Sequence, residues 1–188
     1  MSSVAASPLR WQPAEQRSAR RFPGAAIRLR RPAASPVARL STAGGVEIIA
    51  GGTEIGGAIS SGGTMNVSSG GIASGTQINS NGLEVDFSGG TDFGATVSEG
   101  GNLFLSGGTS ISASLVGSDT SGGGGRETVS SGGTALGTTL SASAQLRVSS
   151  GGVAISTTEI GTERAMRAGQ GGSDSRDFGM SARYFVRC

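Results

Sequence analysis

The chain contains no histidine and no lysine, so all 15 of its basic residues are arginine. Without imidazole there is no histidine base for a hydrolytic triad, no histidine metal ligand and no histidine proton shuttle. The single cysteine, Cys188, is the last of 188 residues, which excludes an intrachain disulfide and a thiolate metal cluster. Aromatic residues are only 4% of the chain, too few to supply the large buried areas that most globular cores draw from them. Residues 1–43 also lack the apolar run of about 7–15 residues that a secretory signal requires.

What the chain has instead is glycine, 35 residues of it. A Ser-Gly-Gly tripeptide, counting an initial Ala-Gly-Gly, begins at Ala50, Ser69, Ser88, Ser106, Ser131 and Ser150, with steps of 19, 19, 18, 25 and 19. A nearly fixed period of about 20 residues is the mark of a stacked repeat. A flexible Gly/Ser linker would have no reason to keep Ile, Leu and Val at fixed places between the glycines, as this chain does.

Laid in register, each unit is Ser-Gly-Gly-Thr, a short segment ending in an aliphatic residue, a second turn, and another segment ending in Val-Ser. Second turns fall at Gly62-Gly63, Asn81-Gly82, Gly100-Gly101 and Gly124-Gly125, with Ser143-Ala144 in the fifth unit. The segments between turns have strand length. Interior glycines costing about 1 kcal/mol each exclude an α-solenoid. Stacking predicts three aliphatic core columns: Ile59, Ile78, Val97, Leu115 and Leu140; Ile55, Phe93, Ile111, Leu136 and Ile155, interrupted by Ser74; and Ile49, Val67, Leu105, Val129 and Val148. The fold class expected is all-β, a right-handed parallel β-helix of about six strand–turn–strand rungs.

Two irregularities stand out. Leu83, Val85 and Phe87 alternate out of phase with Met65 and Val67, which predicts a bulge or a one-residue slip. About six extra residues near Gly117–Gly123 predict a loop pushed out at one corner.

Around the repeat domain, residues 44–161, the composition changes. Residues 1–43 carry eight arginines against one acid, with prolines at 8, 13, 23, 32 and 36, and are expected to form a disordered arm. Residues 162–188 lose the period and are expected to form an irregular tail. The repeat domain itself holds nine acids against two arginines. The basic balance of the whole chain therefore does not describe its folded part, and no nucleic-acid partner is expected. Arg17, Arg20, Arg21, Arg28, Arg30 and Arg31 read as adventitious charge on the arm rather than as an anionic-surface contact.

The phrases Val67-Ser68-Ser69-Gly70-Gly71-Ile72-Ala73, Val129-Ser130-Ser131-Gly132-Gly133-Thr134-Ala135 and Val148-Ser149-Ser150-Gly151-Gly152-Val153-Ala154 resemble the repeats of AIDA-type autotransporter adhesins. The resemblance spans about residues 44–161. It implies a parallel β-helix passenger at the bacterial cell surface or secreted, acting in adhesion, autoaggregation and biofilm formation. Its partners would be host or bacterial surface receptors and other passengers. It also implies a heptosyltransferase partner, with Ser69, Ser88, Ser106, Ser131 and Ser150 as the glycan acceptors. Signal and translocator segments of that family have no counterpart in this sequence, so a fragment, a truncated gene product or one piece of a split passenger is expected.

A β-helix can also carry polysaccharide lyase or hydrolase chemistry, and Glu84, Asp86 and Asp92 are the acids close enough in sequence to test that reading. Glycoside hydrolysis needs two carboxylates about 5–9.5 Å apart, and no spacing here fixes such a pair. These acids are expected on a solvated strand face, and no catalytic residue is assigned. Gly89-Gly90-Thr91-Asp92 lacks the third glycine of calcium-binding β-rolls, and Ser118-Asp119-Thr120 has one carboxylate, so no metal or cofactor is expected. The column Ala58, Gln77, Thr96, Ser114, Thr139 and Thr158 is too irregular for an ice-binding threonine ladder. The glycine pairs are turns, not phosphate cradles, because no Lys-Ser/Thr follows them.

Overall fold

The computed structural model of the chain describes residues 27–30, 40–41, 44–60, 62–118, 123–160, 166–168 and 183–187, with side chains in 44–60, 62–118 and 123–160. These residues form strands and turns and no helix. The strands form a β-solenoid in one sheet of eight strands and one of thirteen, stacked in parallel except for Arg183–Arg187.

Each rung has three faces. In the third rung they are Leu83–Phe87, Thr91–Phe93 and Thr96–Val97. The two-turn rung read from the sequence therefore gains a third corner, between the second and third faces. Gly56, Gly75, Gly94, Ser112, Gly137 and Ser156 occupy it, every one with positive φ. A single left-handed residue makes this bend, and only the first rung has a glycine pair there, Gly56-Gly57, so no recurring pair marks it in the sequence.

The Ser-Gly-Gly phrase has a division of labour, seen at Ser69-Gly70-Gly71. Gly70 has φ +79°, the left-handed region that glycine enters without steric cost. Gly71 has ordinary φ but no room, because a Cβ there would overlap the carbonyl of Ile49 in the rung beside it. The first glycine bends the chain and the second lets rungs stack.

Two of the three expected columns form the core. Ile59, Ile78, Val97, Leu115 and Leu140 are fully buried, and so are Ile49, Val67, Leu105 and Val129, with Val148 nearly so. The column of Ile55, Phe93, Ile111, Leu136 and Ile155 is corrected: it faces outward, with Ile55 45% and Phe93 41% exposed. A three-residue strand points only its middle residue inward. On this face the inward residues are Glu54, Ala73, Asp92, Ser110, Ala135 and Ala154, all buried.

The slip expected at Leu83–Phe87 is also absent. That strand pairs without a register shift, Leu83–Asp86 with Thr64–Val67 on one side and Leu83–Phe87 with Asn102–Ser106 on the other. Leu83, Val85 and Phe87 consequently face outward, and Glu84 and Asp86 face the core.

The insertion leaves a corner as expected and is pinched at its base. Gly117 bridges Gly124, and the Gly125 amide donates to the Val116 carbonyl at 2.8 Å. Its residues 119–122 lie outside the described residues. Within the expected arm, Ile27–Arg30 pairs with Val46–Ala50 and Leu40–Ser41 with Ala58–Ile59. Within the expected tail, Met166–Ala168 continues the first face, and Arg183–Arg187 runs antiparallel along Val153–Ile160. The rest of both segments lies outside the described residues.

Candidate functional site

The five serines with an expected acceptor role do not share one environment. Ser69, Ser88, Ser131 and Ser150 are exposed at the corner between the first and second faces. Ser69 and Ser88 are adjacent, the amide of one donating to the carbonyl of the other at 3.3 Å. Ser131 sits beside the corner of Ser150 in the same way, through Gly132 N–H to Gly151 C=O at 2.9 Å. Ser106 differs. The 18-residue step places it at the end of strand Asn102–Ser106, half-buried and paired with Phe87 and Ser130. Gly107 takes the corner place, and a Cβ built there would meet Ser88. The exposed serines thus form two pairs with a glycine gap between them.

The acids expected on a solvated face are inside the solenoid, which corrects that reading. Glu84, Asp86, Asp92 and Glu127 have no exposed surface. Their placement follows from register. Glu47, Met65, Glu84, Leu103, Glu127 and Leu146 make one inward column in which acid and apolar residues alternate rung by rung. Asp86 fills the gap in the column of Val67 and Leu105. Glu54 and Asp92 lie in the small-residue column of the second face, two rungs apart, as their spacing in the repeat predicts.

Burial is the main force on these groups. It pushes Asp86 up to about 8, with the neighbouring Asp92 and Glu127 adding to the rise. Glu84 is pushed well above the usual carboxylate range by burial, then by Asp92 and Asp86, with the Thr76 hydroxyl opposing the rise. Glu127 is raised to about 7 by burial, opposed by the Thr138 hydroxyl, which donates to its Oε2 at 2.9 Å. Asp92 is raised to about 7, again by burial. The backbone amides of Ala95 and Phe93 oppose that rise, as does Ser110, whose hydroxyl donates to Asp92 Oδ2 at 3.3 Å. Both carboxyl oxygens of Glu84 and both of Asp86 have no hydrogen-bond partner. Their burial closes these groups off from a solvent-borne polysaccharide.

No three acidic or sulfur side chains among the described residues come together in a way that could hold a metal ion. Asp119 and Thr120 fall outside the described residues, as do Arg17, Arg20, Arg21 and Arg31. Arg28 and Arg30 lie on a strand pairing with the first rung. One shallow polar cleft, about 510 Å³, opens beside the insertion and is lined by Ser80, Glu99, Arg126 and Gln145 with turn glycines. Sequence reasoning did not bring these residues together, because the insertion shifts Arg126 out of the period that the others keep.

No family model matches the chain, and no curated protein matches it. Among solved structures it is similar to the crystal structure of a TibC-catalysed, hyper-glycosylated fragment of TibA, at 25% identity and a TM-score of 0.45. That likeness covers 69% of this chain, and the chain spans 62% of the length of the TibA fragment.

Proposed function

We propose that residues 44–161 are a structural and adhesive segment of a surface-displayed passenger, similar to those of AIDA-type autotransporter adhesins, and that the segment has no catalytic role. The observation that carries this reading is the unbroken parallel stacking with the Val-Ser-Ser-Gly-Gly phrase held at one exposed corner. Such a rod presents the same short surface repeatedly. Glu84, Asp86 and Asp92, the acids on which the carbohydrate-active alternative rested, lie in the interior, which disfavours it.

In this reading Ser69, Ser88, Ser131 and Ser150 are the acceptors of a heptosyltransferase. Each hydroxyl oxygen would attack the anomeric carbon of a nucleotide-activated heptose, losing its proton as the nucleotide leaves. Ser106 is the poorest of the five acceptors, because its side chain stands at a strand end beside Ser130 and Phe87. Cell-surface receptors and neighbouring passengers are the partners, and the location is the cell surface or the secreted fraction.

Display of the chain on a bacterial surface through a heterologous translocator tests the reading. Increased adherence to epithelial cells and faster settling of the bacteria are expected. Display without either effect overturns the adhesive role. Intact mass after co-expression with a heptosyltransferase tests the acceptors separately, and an unmodified mass overturns that assignment.

A further inference from the structure

The third rung is inside out. Its first-face strand reads Leu83-Glu84-Val85-Asp86-Phe87, and the register turns both acids inward while Phe87 stands 41% exposed. Above and below them the facing residues are Met65 and Val67 on one side and Leu103 and Leu105 on the other, with nothing titratable among them. Across the interior the charged groups that reach them are Asp92 and Glu127, both acids. Glu54 and Glu47, in the first rung, are acids too. Arg126 and Arg147 are exposed, so neither of these bases of the described rungs reaches Glu84 or Asp86 in the interior, and no metal grouping among the described residues does so either. Four oxygens without partners in this setting are compatible with burial only while the acids stay protonated, because an uncompensated buried charge costs several kcal/mol.

The same strand has an alternative register. A one-residue shift exchanges the two faces of any β-strand. Here it would set Leu83 between Met65 and Leu103, and Val85 between Val67 and Leu105, completing both apolar columns while releasing both acids to water. The strand is bounded by Asn81-Gly82 and Gly89-Gly90. Such turns can pass one residue from one end of the strand to the other. The turn before the strand would lose a residue and place Asn81 at the stacked position of Gly82. A Cβ built at Gly82 itself would overlap the Ile59 carbonyl of the adjoining rung, so the shift requires this turn to draw back from its neighbour; Ala144, fully buried at the equivalent place before the sixth rung, shows a side chain held at such a corner.

We propose that this rung is a proton-gated joint of the rod. With Glu84 and Asp86 neutral, Leu83–Phe87 holds the register observed. When the two carboxyl groups release their protons to solvent, the strand leaves that register for the one in which Leu83 and Val85 face inward. Burial raises both groups above the ordinary range, so the neutral form is the folded one through acid and neutral pH. Asp86 loses its proton as pH rises through about 8, and Glu84, also held well above the ordinary range, loses its own on the same alkaline side. The interior is then apolar along the whole first face of the central rungs, and two new negative charges appear on the surface.

Amide hydrogen exchange on the full chain, corrected for intrinsic rates, tests this between about pH 5.5 and about pH 9. Protection of Leu83–Phe87 is expected to fall by about tenfold per pH unit for each proton released. It should stay level in the E84L/D86V variant, which copies the neighbouring Leu103 and Val67. E84Q/D86N provides the same control with less change in shape. An equal fall in the wild type and in either folded variant overturns the proposal. A methyl–methyl nuclear Overhauser contact between Leu83 and Leu103 is expected at the higher pH only. Faster exchange without that contact overturns the change of register.

Discussion

The Thr138 hydroxyl donates to Glu127 Oε2 at 2.9 Å inside the solenoid, and Glu127 Oε1 has no partner. Thr138 comes from the corner between the second and third faces and Glu127 from the first face of the same rung. The bond therefore spans the interior and ties the two sides of one rung together. It favours the ionised carboxylate, but burial outweighs it, and Glu127 remains raised to about 7.

Thr138→Val should therefore cost more in alkali than in acid. A hydrogen bond to a charged group is worth about 1.5–3 kcal/mol and one between neutral groups about 1 kcal/mol. Urea unfolding should show a loss of about 2 kcal/mol near pH 8.5 and about half that near pH 5. An equal loss at the two pH values would mean that Glu127 keeps one protonation state throughout.

Glu127→Leu should have the opposite sign. Leu103 and Leu146 flank this position in its column, so leucine continues an apolar stack. A carboxyl group whose pKa rises on folding lends stability below its ordinary value near pH 4, and loses it as pH climbs through the folded value of about 7. Relative to the wild type, the variant should therefore gain about 2–4 kcal/mol on going from about pH 4 to about pH 8.5. Denaturant midpoints at the two pH values measure it, and a gain that does not grow with pH counts against a neutral Glu127.

The glycine phrases made the stacking and two of the three core faces readable from the sequence, because they fix where each rung begins. Ile59, Ile78, Val97, Leu115 and Leu140 follow them at constant distance and are all buried. The second face misled for a physical reason. Its three-residue strands bury one residue each, and those residues are small or acidic, while the larger Ile55 and Phe93 stand outside. Hydropathy alone selects the wrong column there. The inverted third rung was readable in principle: counting from Gly82 as one counts from Gly63 puts Glu84 level with Met65. The habit of placing carboxylates in solvent favoured a slip instead. Partners, by contrast, leave no mark in a period, because the period specifies stacking and the exposed corner residues are free of that demand.

The two kinds of glycine should respond differently to substitution. Gly90→Ala would drive a Cβ into the Val67 carbonyl of the adjoining rung, where only backbone could give way. A loss of about 3 kcal/mol or more is expected, in the range reserved for overpacking and backbone strain. Gly94, with φ +66°, has open space where a Cβ would stand, with nothing within 4 Å. Gly94→Asn should cost about 1 kcal/mol or less, since Asn tolerates the left-handed region. Thermal unfolding of the two variants decides it, and comparable losses would contradict the assignment of one glycine to bending and the other to stacking.

The reversed assignment of the second-face column has a direct test. Phe93 is 41% exposed and Ile78 is fully buried, although each sits in a column of aliphatic residues that the sequence presents alike. Ile78→Ala removes side-chain volume from a closed stack between Ile59 and Val97 and should cost about 2–5 kcal/mol. Phe93→Ser gives up only contacts on an outer face, where Ser74 already occupies the neighbouring place, and should cost about 1 kcal/mol or less. If Phe93→Ser proved as damaging as Ile78→Ala in denaturant unfolding, the side chain of Phe93 would have to lie in the core. The second face would then carry the opposite register, and Asp92 would turn out to solvent.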